Sequence, residues 1–220
     1  MSTPIPAAGL TQTVAEKLRD QITEGRLLPG DRLSEAKLAA DLEISRNTLR
    51  EVFRMLTRDG LLRYELNRGV FVAEPSMATI LDVYRIRRLI EVPALAGAHA
   101  SQTGISAMRR AFEAGQAAAD QQDWRRVGSA NMEFHAAIVS LAESPRLTEF
   151  FHRLSAELRL AFGLLNSPEH LHSPYVARNR QILELAEAGD CAQAAQALSA
   201  YLDLSERNVL VSFAGLAGAK

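Results

Sequence analysis

Residues 45–60 read SRNTLREVFRMLTRDG, and residues 61–74 continue LLRYELNRGVFVAE. The first stretch has two faces. Leu49, Val52, Phe53 and Leu56 fall at i, i+3, i+4 and i+7, which is one apolar stripe of a helix. Arg46, Arg50, Arg54 and Arg58 recur every four residues on another side, with Asn47 and Thr48 in the first turn. Ser45 has the chemistry of an N-cap, and Gly60 is a stop. After Gly60 the texture changes. LLRYEL and GVFVAE are rich in β-formers and flank Asn67-Arg68-Gly69, a pattern that predicts a two-stranded hairpin with a basic tip.

Upstream, Leu10, Val14, Leu18 and Ile22 form one stripe, and Gly25 is a plausible stop. Pro29-Gly30 predicts a turn. A short helix then starts at Ser34, with Leu38, Ala39 and Leu42 inward, and a tight turn at Glu43-Ile44-Ser45 leads into the third helix. Three short helices and a hairpin within about 75 residues are the layout of a winged helix-turn-helix.

Downstream, segments near 76–102, 104–121, 124–142, 145–165, 173–188 and 190–209 have helical periodicity, with no further strand signal. Gly104, Asp123, Ser144-Pro145, Ser167-Pro168, Ser173-Pro174 and Gly189 separate them. Pro93 is expected to kink or split the first of these. The fold class expected is therefore mainly α: a winged helix-turn-helix over residues 1–75, then an all-α bundle over 76–220, joined at residues 74–78.

The 220 residues are 47% hydrophobic and 23% charged, which fits a globular chain. No run approaches the roughly 18 apolar residues of a membrane span. The N-terminal stretch lacks the layout of a signal peptide. The single Cys191 excludes an internal disulfide framework and any multi-thiolate metal site, so a cytoplasmic location is expected. The net charge of −1 carries no nucleic-acid signature, and residues 1–75 balance at eleven basic and eleven acidic side chains. Positive charge is concentrated locally instead. Ser45 to Arg58 holds four arginines and one acid, Glu51. Arginine can hold guanine bidentately and Asn can do so for adenine. Hydroxyls, free amides at a helix start and a wing tip suit phosphates. Double-stranded DNA is the partner this constellation predicts.

Residues 11–74, TVAEKLRDQITEGRLLPGDRLSEAKLAADLEISRNTLREVFRMLTRDGLL…RGVFV, resemble the DNA-binding domain of GntR-superfamily transcription regulators. The resemblance rests on G-x-L-x-PG-x-x-L (Gly25 to Leu33), S-R-x-x-x-R-E (Ser45 to Glu51), L-x-x-x-G-L (Leu56 to Leu61) and Arg68-Gly69. It implies a homodimer on a pseudo-palindromic operator, with Ser45, Arg46, Asn47, Thr48, Arg50, Arg68 and Gly69 at the DNA. Some relatives carry a base-reading arginine early in the second helix, where this chain has Ala36.

Residues 76–210 are similar to the helical effector domain of the FadR subfamily, the FCD domain. The landmarks are YRIRRLIE (Tyr84 to Glu91), NMEFHAAI (Asn131 to Ile138) and RQILELAEAGDCAQAAQALSAYL. In many members one Asp and three His of these segments hold a divalent metal. The corresponding residues here are Asn131, His135, Asn179 and Tyr201, so one ligand of four is retained. An amide oxygen is a poor divalent ligand, and a phenol would have to ionise. Two amides, a phenol and an imidazole can all hydrogen-bond, and Arg87 could fix a carboxylate. Two readings follow. In one, Arg87, Asn131, His135, Asn179 and Tyr201 line a metal-free pocket for a small effector such as an organic acid. In the other they satisfy one another as a buried network.

The function expected is a ligand-responsive regulator without cofactor, more often a repressor in this family. Alternatives are metal-dependent effector sensing and an enzyme fused to a DNA-binding head. His170 and His172 are expected in a solvated loop. Cys191 lacks a partner base for catalysis.

Overall fold

A computed structural model of the chain describes residues 7–165 and 168–217. The first six residues of the expected head, the Ser167 half of the Ser167-Pro168 break and the last three residues of the expected bundle lie outside it.

Helices α1 (Ala7–Thr23), α2 (Glu35–Asp41) and α3 (Arg46–Arg58) pack with a small sheet of β1 (Arg32–Leu33), β2 (Leu62–Glu65) and β3 (Gly69–Val72). The sheet order is β1-β3-β2, antiparallel throughout. β1 is an addition to the expected hairpin. It pairs Arg32 with Phe71 and Leu33 with Val70, and a two-residue strand has no periodicity to read in sequence. The wing turns where expected: Asn67 has φ 61 and Gly69 φ 103, left-handed conformations that Asn and Gly tolerate.

α3 forms as its two faces dictate. Ser45 caps it, its Oγ accepting from the Thr48 amide at 3.0 Å. Leu49, Val52, Phe53 and Leu56 are buried against α1 and the sheet, each apolar side chain stabilising by roughly 1.5–3 kcal/mol. Arg19 of α1 donates to Asp59, just past the end of α3, at 2.8 Å and so fixes the crossing of the two helices.

The remaining helices are α4 (Met77–Ala96), α5 (Thr103–Asp120), α6 (Trp124–Ser140), α7 (Pro145–Gly163), α8 (Pro168–Glu187) and α9 (Cys191–Ala217). They enclose a second core that includes Phe134, Ile138, Leu158, Leu198 and Leu202. α7 serves both cores, because its Ala156 and Leu160 are buried among the head residues.

Three helix ends differ from expectation: α4 stops at Ala96 rather than near 102, α8 starts at Pro168 rather than near 173, and α9 runs on to Ala217 rather than ending near 209. α4 is not split at Pro93; it continues to Ala96, because the carbonyl deprived of its donor belongs to Leu89, an exposed residue where water can replace the lost bond, and only one further turn of helix follows. α8 begins at Pro168 and continues through Pro174 rather than starting at 173. Proline suits a helix start, and burial of Leu171, His172 and Tyr175 holds the first turns in place despite Pro174. His172 is therefore a buried helix residue, not part of a solvated loop.

Candidate functional site

The exposed face of α3 carries Arg46, Asn47, Arg50, Arg54 and Arg58, opposite its buried stripe. Ser45 and Thr48 sit at its start, their hydroxyls 2.8 Å apart. Arg50 Nε lies 3.0 Å from Glu35 Oε2 of α2, an exposed pair worth at most about 1 kcal/mol. Arg68, at the wing tip, pairs with Glu65, its guanidinium carbon 5.4 Å from the centre of the Phe71 ring. Helix face and wing tip thus present cations and hydrogen-bonding groups on exposed positions, the requirement for contacting phosphates and base edges.

In the bundle, Arg87 of α4, Asn131 and His135 of α6, Asn179 of α8 and Tyr201 of α9 come together. Asn131 Oδ1 accepts from Asn179 Nδ2 at 2.7 Å and from the Tyr201 hydroxyl at 3.0 Å. The His135 and Tyr201 rings are 4.9 Å apart edge to face. A residue missed in the sequence joins them. Glu91 is 0% exposed and bridges the cluster, with Oε1 2.6 Å from Arg87 Nε and Oε2 2.6 Å from His135 Nδ1. Its signal was available in sequence: an acid four residues after Arg87, flanked by Ile90 and Val92.

Electrostatics follow from that bridge. Burial opposes ionisation of Glu91, but Arg87 and His135 overcome it and hold the carboxyl below its usual range. Burial also works against the Arg87 charge, and Glu91 more than offsets it. Burial pushes the His135 imidazole down, against the pull of Glu91 and with the push of Arg87. His135 is thus neutral at pH 7, its Nδ1–H donating to Glu91 and its Nε2 left as a bare acceptor. That Nε2 and Asn179 Oδ1 are buried without a partner. Beside Asn131 and Asn179 a cavity of about 10 Å³ remains, about one water's space.

A divalent cation does not fit this donor set. Asn131 Oδ1 already accepts two hydrogen bonds, and burial pushes the Tyr201 phenol far above its usual range. Among the described residues no three His, Cys, Asp or Glu side chains group to hold a metal. Nor is Arg87 a free anchor: an incoming carboxylate has to displace Glu91.

Two buried histidines make the fold acid-sensitive. Burial and the neighbouring Arg159 push His172 down to about 3. Between that value and about 6.5 the unfolded chain binds a proton that the folded chain refuses, so stability rises with pH in this window and is lost as pH falls. His135 adds in the same direction. For His172 the expected loss in urea unfolding below pH 6.5 is about 1.4 kcal/mol per pH unit. His172→Phe should remove that contribution to the slope; an unchanged slope contradicts a buried neutral His172.

A winged helix-turn-helix with a basic recognition face, joined to a helical bundle with a buried polar cluster, defines a DNA-binding regulator with a separate helical domain. Comparison with known proteins gives the family. Residues 10–72 match "Bacterial regulatory proteins, gntR family", and residues 82–204 match the FCD domain. A structural-genomics crystal structure from Rhodococcus sp. RHA1, assigned to the GntR regulators, is 37% identical with a TM-score of 0.85, covering 92% of this chain and 98% of that one. The Nta operon transcriptional regulator of Aminobacter aminovorans is 29% identical over 72% of this chain and 79% of its own. The galactonate operon transcriptional repressor of Escherichia coli (strain K12) is 26% identical over 84% and 91%. The chain belongs to the GntR family of bacterial regulatory proteins, with an FCD domain as its helical part, and is a DNA-binding transcription regulator, not an enzyme.

Proposed function

We propose that this chain is a homodimeric, cytoplasmic repressor that binds a pseudo-palindromic operator and responds to a small metabolite held in its helical domain. The observation that carries the reading is the exposed row Arg46, Asn47 and Arg50 on α3, backed by a fully apolar buried stripe and flanked by the wing residues Arg68 and Gly69. Residues 1–75 form the DNA-binding domain and 76–220 the effector and dimerisation domain. A dimer is supported by the family and by apolar side chains left exposed on α4 and α9, Leu89 at 76% and Val211 at 73%. Repression is supported by the galactonate operon repressor among the relatives.

The polar cluster of Arg87, Asn131, His135, Asn179 and Tyr201 is the effector site in this reading. Its two bare acceptors, His135 Nε2 and Asn179 Oδ1, call for a donor such as a ligand hydroxyl, while an acid group competes with Glu91 for Arg87. A hydroxy acid carries both groups. With space for about one water the cluster is closed, so the effector selects a more open bundle and thereby biases the two DNA heads.

Selection from random duplexes tests the reading. An inverted repeat is the expected enriched motif, with half-sites about one helical turn apart or a multiple of it. Enrichment of a lone half-site, or none, rejects the dimeric operator. His135→Ala should abolish the response to any metabolite that shifts operator affinity.

A further inference from the structure

A second cavity lies where the head meets the bundle. It is about 210 Å³ in volume, twenty-fold larger than the space beside Asn131. Ile22, Leu27, Leu28 and Pro29 line it from the head, and Phe162 and Leu171 from the bundle. Into this apolar lining come Arg159 of α7, Arg125 of α6 and His172 of α8.

Arg159 is the unusual member. It is 8% exposed, yet among the described residues no carboxylate lies within ion-pair distance of it. Its hydrogen bond is a long one, from Nη2 to the Arg125 carbonyl at 3.3 Å. Every other buried charge among the described residues is paired: Arg19 with Asp59, and Arg87 and Glu91 with each other. Burying a cation without a counter-ion is unfavourable by several kcal/mol, and a second cation, Arg125, adds repulsion. The two together push Arg159 down to about 10, still charged at neutral pH.

The backbone around it is shaped for a guanidinium. A Cβ on Gly128 would come within 2.5 Å of Arg159 Nη1 and 2.6 Å of His172 Nε2. One on Gly25 would lie 3.2 Å from Nη2. Glycines on both sides of the domain boundary thus leave the planar group its slot. His172 is held edge to face against Phe162, with ring centroids 5.6 Å apart.

We propose that this interdomain cavity binds a small anion with an apolar body and a single carboxylate, held bidentately by Arg159. Arg159 is the one buried guanidinium of the lining, Arg125 being exposed, and the walls around it are mostly apolar, which suits a carboxylate on an apolar body better than a phosphate that is polar on every side. The volume falls below the roughly 300 Å³ at which drug-sized pockets begin, so the ligand is small. Because both units supply the lining, an occupant has affinity only for the arrangement that closes the cavity. Its binding is therefore coupled to the position of the DNA-binding head.

Benzoate is a suitable probe, with benzamide as its uncharged counterpart and inorganic phosphate as an anion without an apolar body. Calorimetry on the full chain is expected to give benzoate at least about ten-fold tighter binding than either. Arg159→Gln should weaken benzoate at least about ten-fold with circular dichroism unchanged. Leu28→Trp enlarges a lining residue on the head side and leaves the Arg159 side chain in place; it should weaken benzoate as well, which covers a failure of Arg159→Gln to fold. Saturating benzoate should shift operator affinity by about five-fold or more. Phosphate or benzamide binding as tightly as benzoate overturns the assignment. So does benzoate binding that both substitutions leave intact, that is absent at about 10 mM, or that leaves operator affinity unmoved. His172 lines both this cavity and the space beside Asn131, but Arg159 and Leu28 belong to this cavity alone, so loss of benzoate binding through them leaves the effector reading standing.

Discussion

Replacing Glu91 with leucine is expected to lower the unfolding free energy by about 3–5 kcal/mol. Glu91 is fully buried and is the carboxylate that both Arg87 and His135 face, each at 2.6 Å. Without it the Arg87 charge stays in a site 3% exposed, and arginine does not escape by giving up its proton. His135 loses the acceptor for its N–H at the same time. For a chain of this size each kcal/mol lowers Tm by about 2–4 °C, so a loss of roughly 6–20 °C is expected. Arg87→Met should cost less than Glu91→Leu, because His135 can take up a proton and become the partner that Glu91 then lacks. The double variant should recover most of the loss, since an apolar pair of similar volume replaces a buried ion pair at little net cost. A double-mutant cycle measures this. Additivity within about 0.5 kcal/mol means the two residues do not act as a pair and sinks the argument.

The head was legible because its elements carry their signals within a few turns. Leu49, Val52, Phe53 and Leu56 define a stripe, Ser45 a cap, and Asn67-Arg68-Gly69 a turn, and each needs only its near neighbours to be read. The small β1 strand was not legible, because two residues pair only once β3 is in place. The polar cluster was half legible. The spacing of Asn131 and His135 puts them on one face of α6, but resemblance to a known domain brought in Asn179 and Tyr201 from two other helices. Glu91 was passed over for a physical reason: Arg87 and Glu91 at i, i+4 look like an ordinary surface pair. Only packing of α4 against α6 and α9 buries them. His172 was misplaced because Pro174 outweighed the apolar burial around it. Arg159 offers least of all to a reader of the sequence. In HRLSAELRLAF it is one more helix charge, and its lack of a counter-ion follows from the head docking on α7.

Arg50→Ala is expected to remove most sequence-specific operator binding. A bidentate arginine contact to a guanine discriminates by about 1–3 kcal/mol, and the proposed dimer would contribute one from each protomer, so the expected loss is about 2–6 kcal/mol. That corresponds to roughly 30-fold to more than 10⁴-fold in affinity. Arg46→Ala, at the first turn of α3 and without an ion pair among the described residues, should act in the same direction. Non-specific binding should fall far less, because phosphate contacts from the helix start and wing remain. The ratio of specific to non-specific affinity at fixed salt is therefore the quantity to measure. Free Arg50 is held by Glu35, and base reading requires that pair to open. An exposed pair of this kind is worth about 0–1 kcal/mol and a dimer opens two, so Glu35→Ala should leave specificity in place and tighten binding by no more than about 30-fold. The two substitutions separate the roles. If Arg50 merely braces α2 through Glu35, Arg50→Ala and Glu35→Ala will give the same small effect. If Arg50 reads bases, they move affinity in opposite directions, and an unchanged specificity ratio in Arg50→Ala removes the residue from the recognition set.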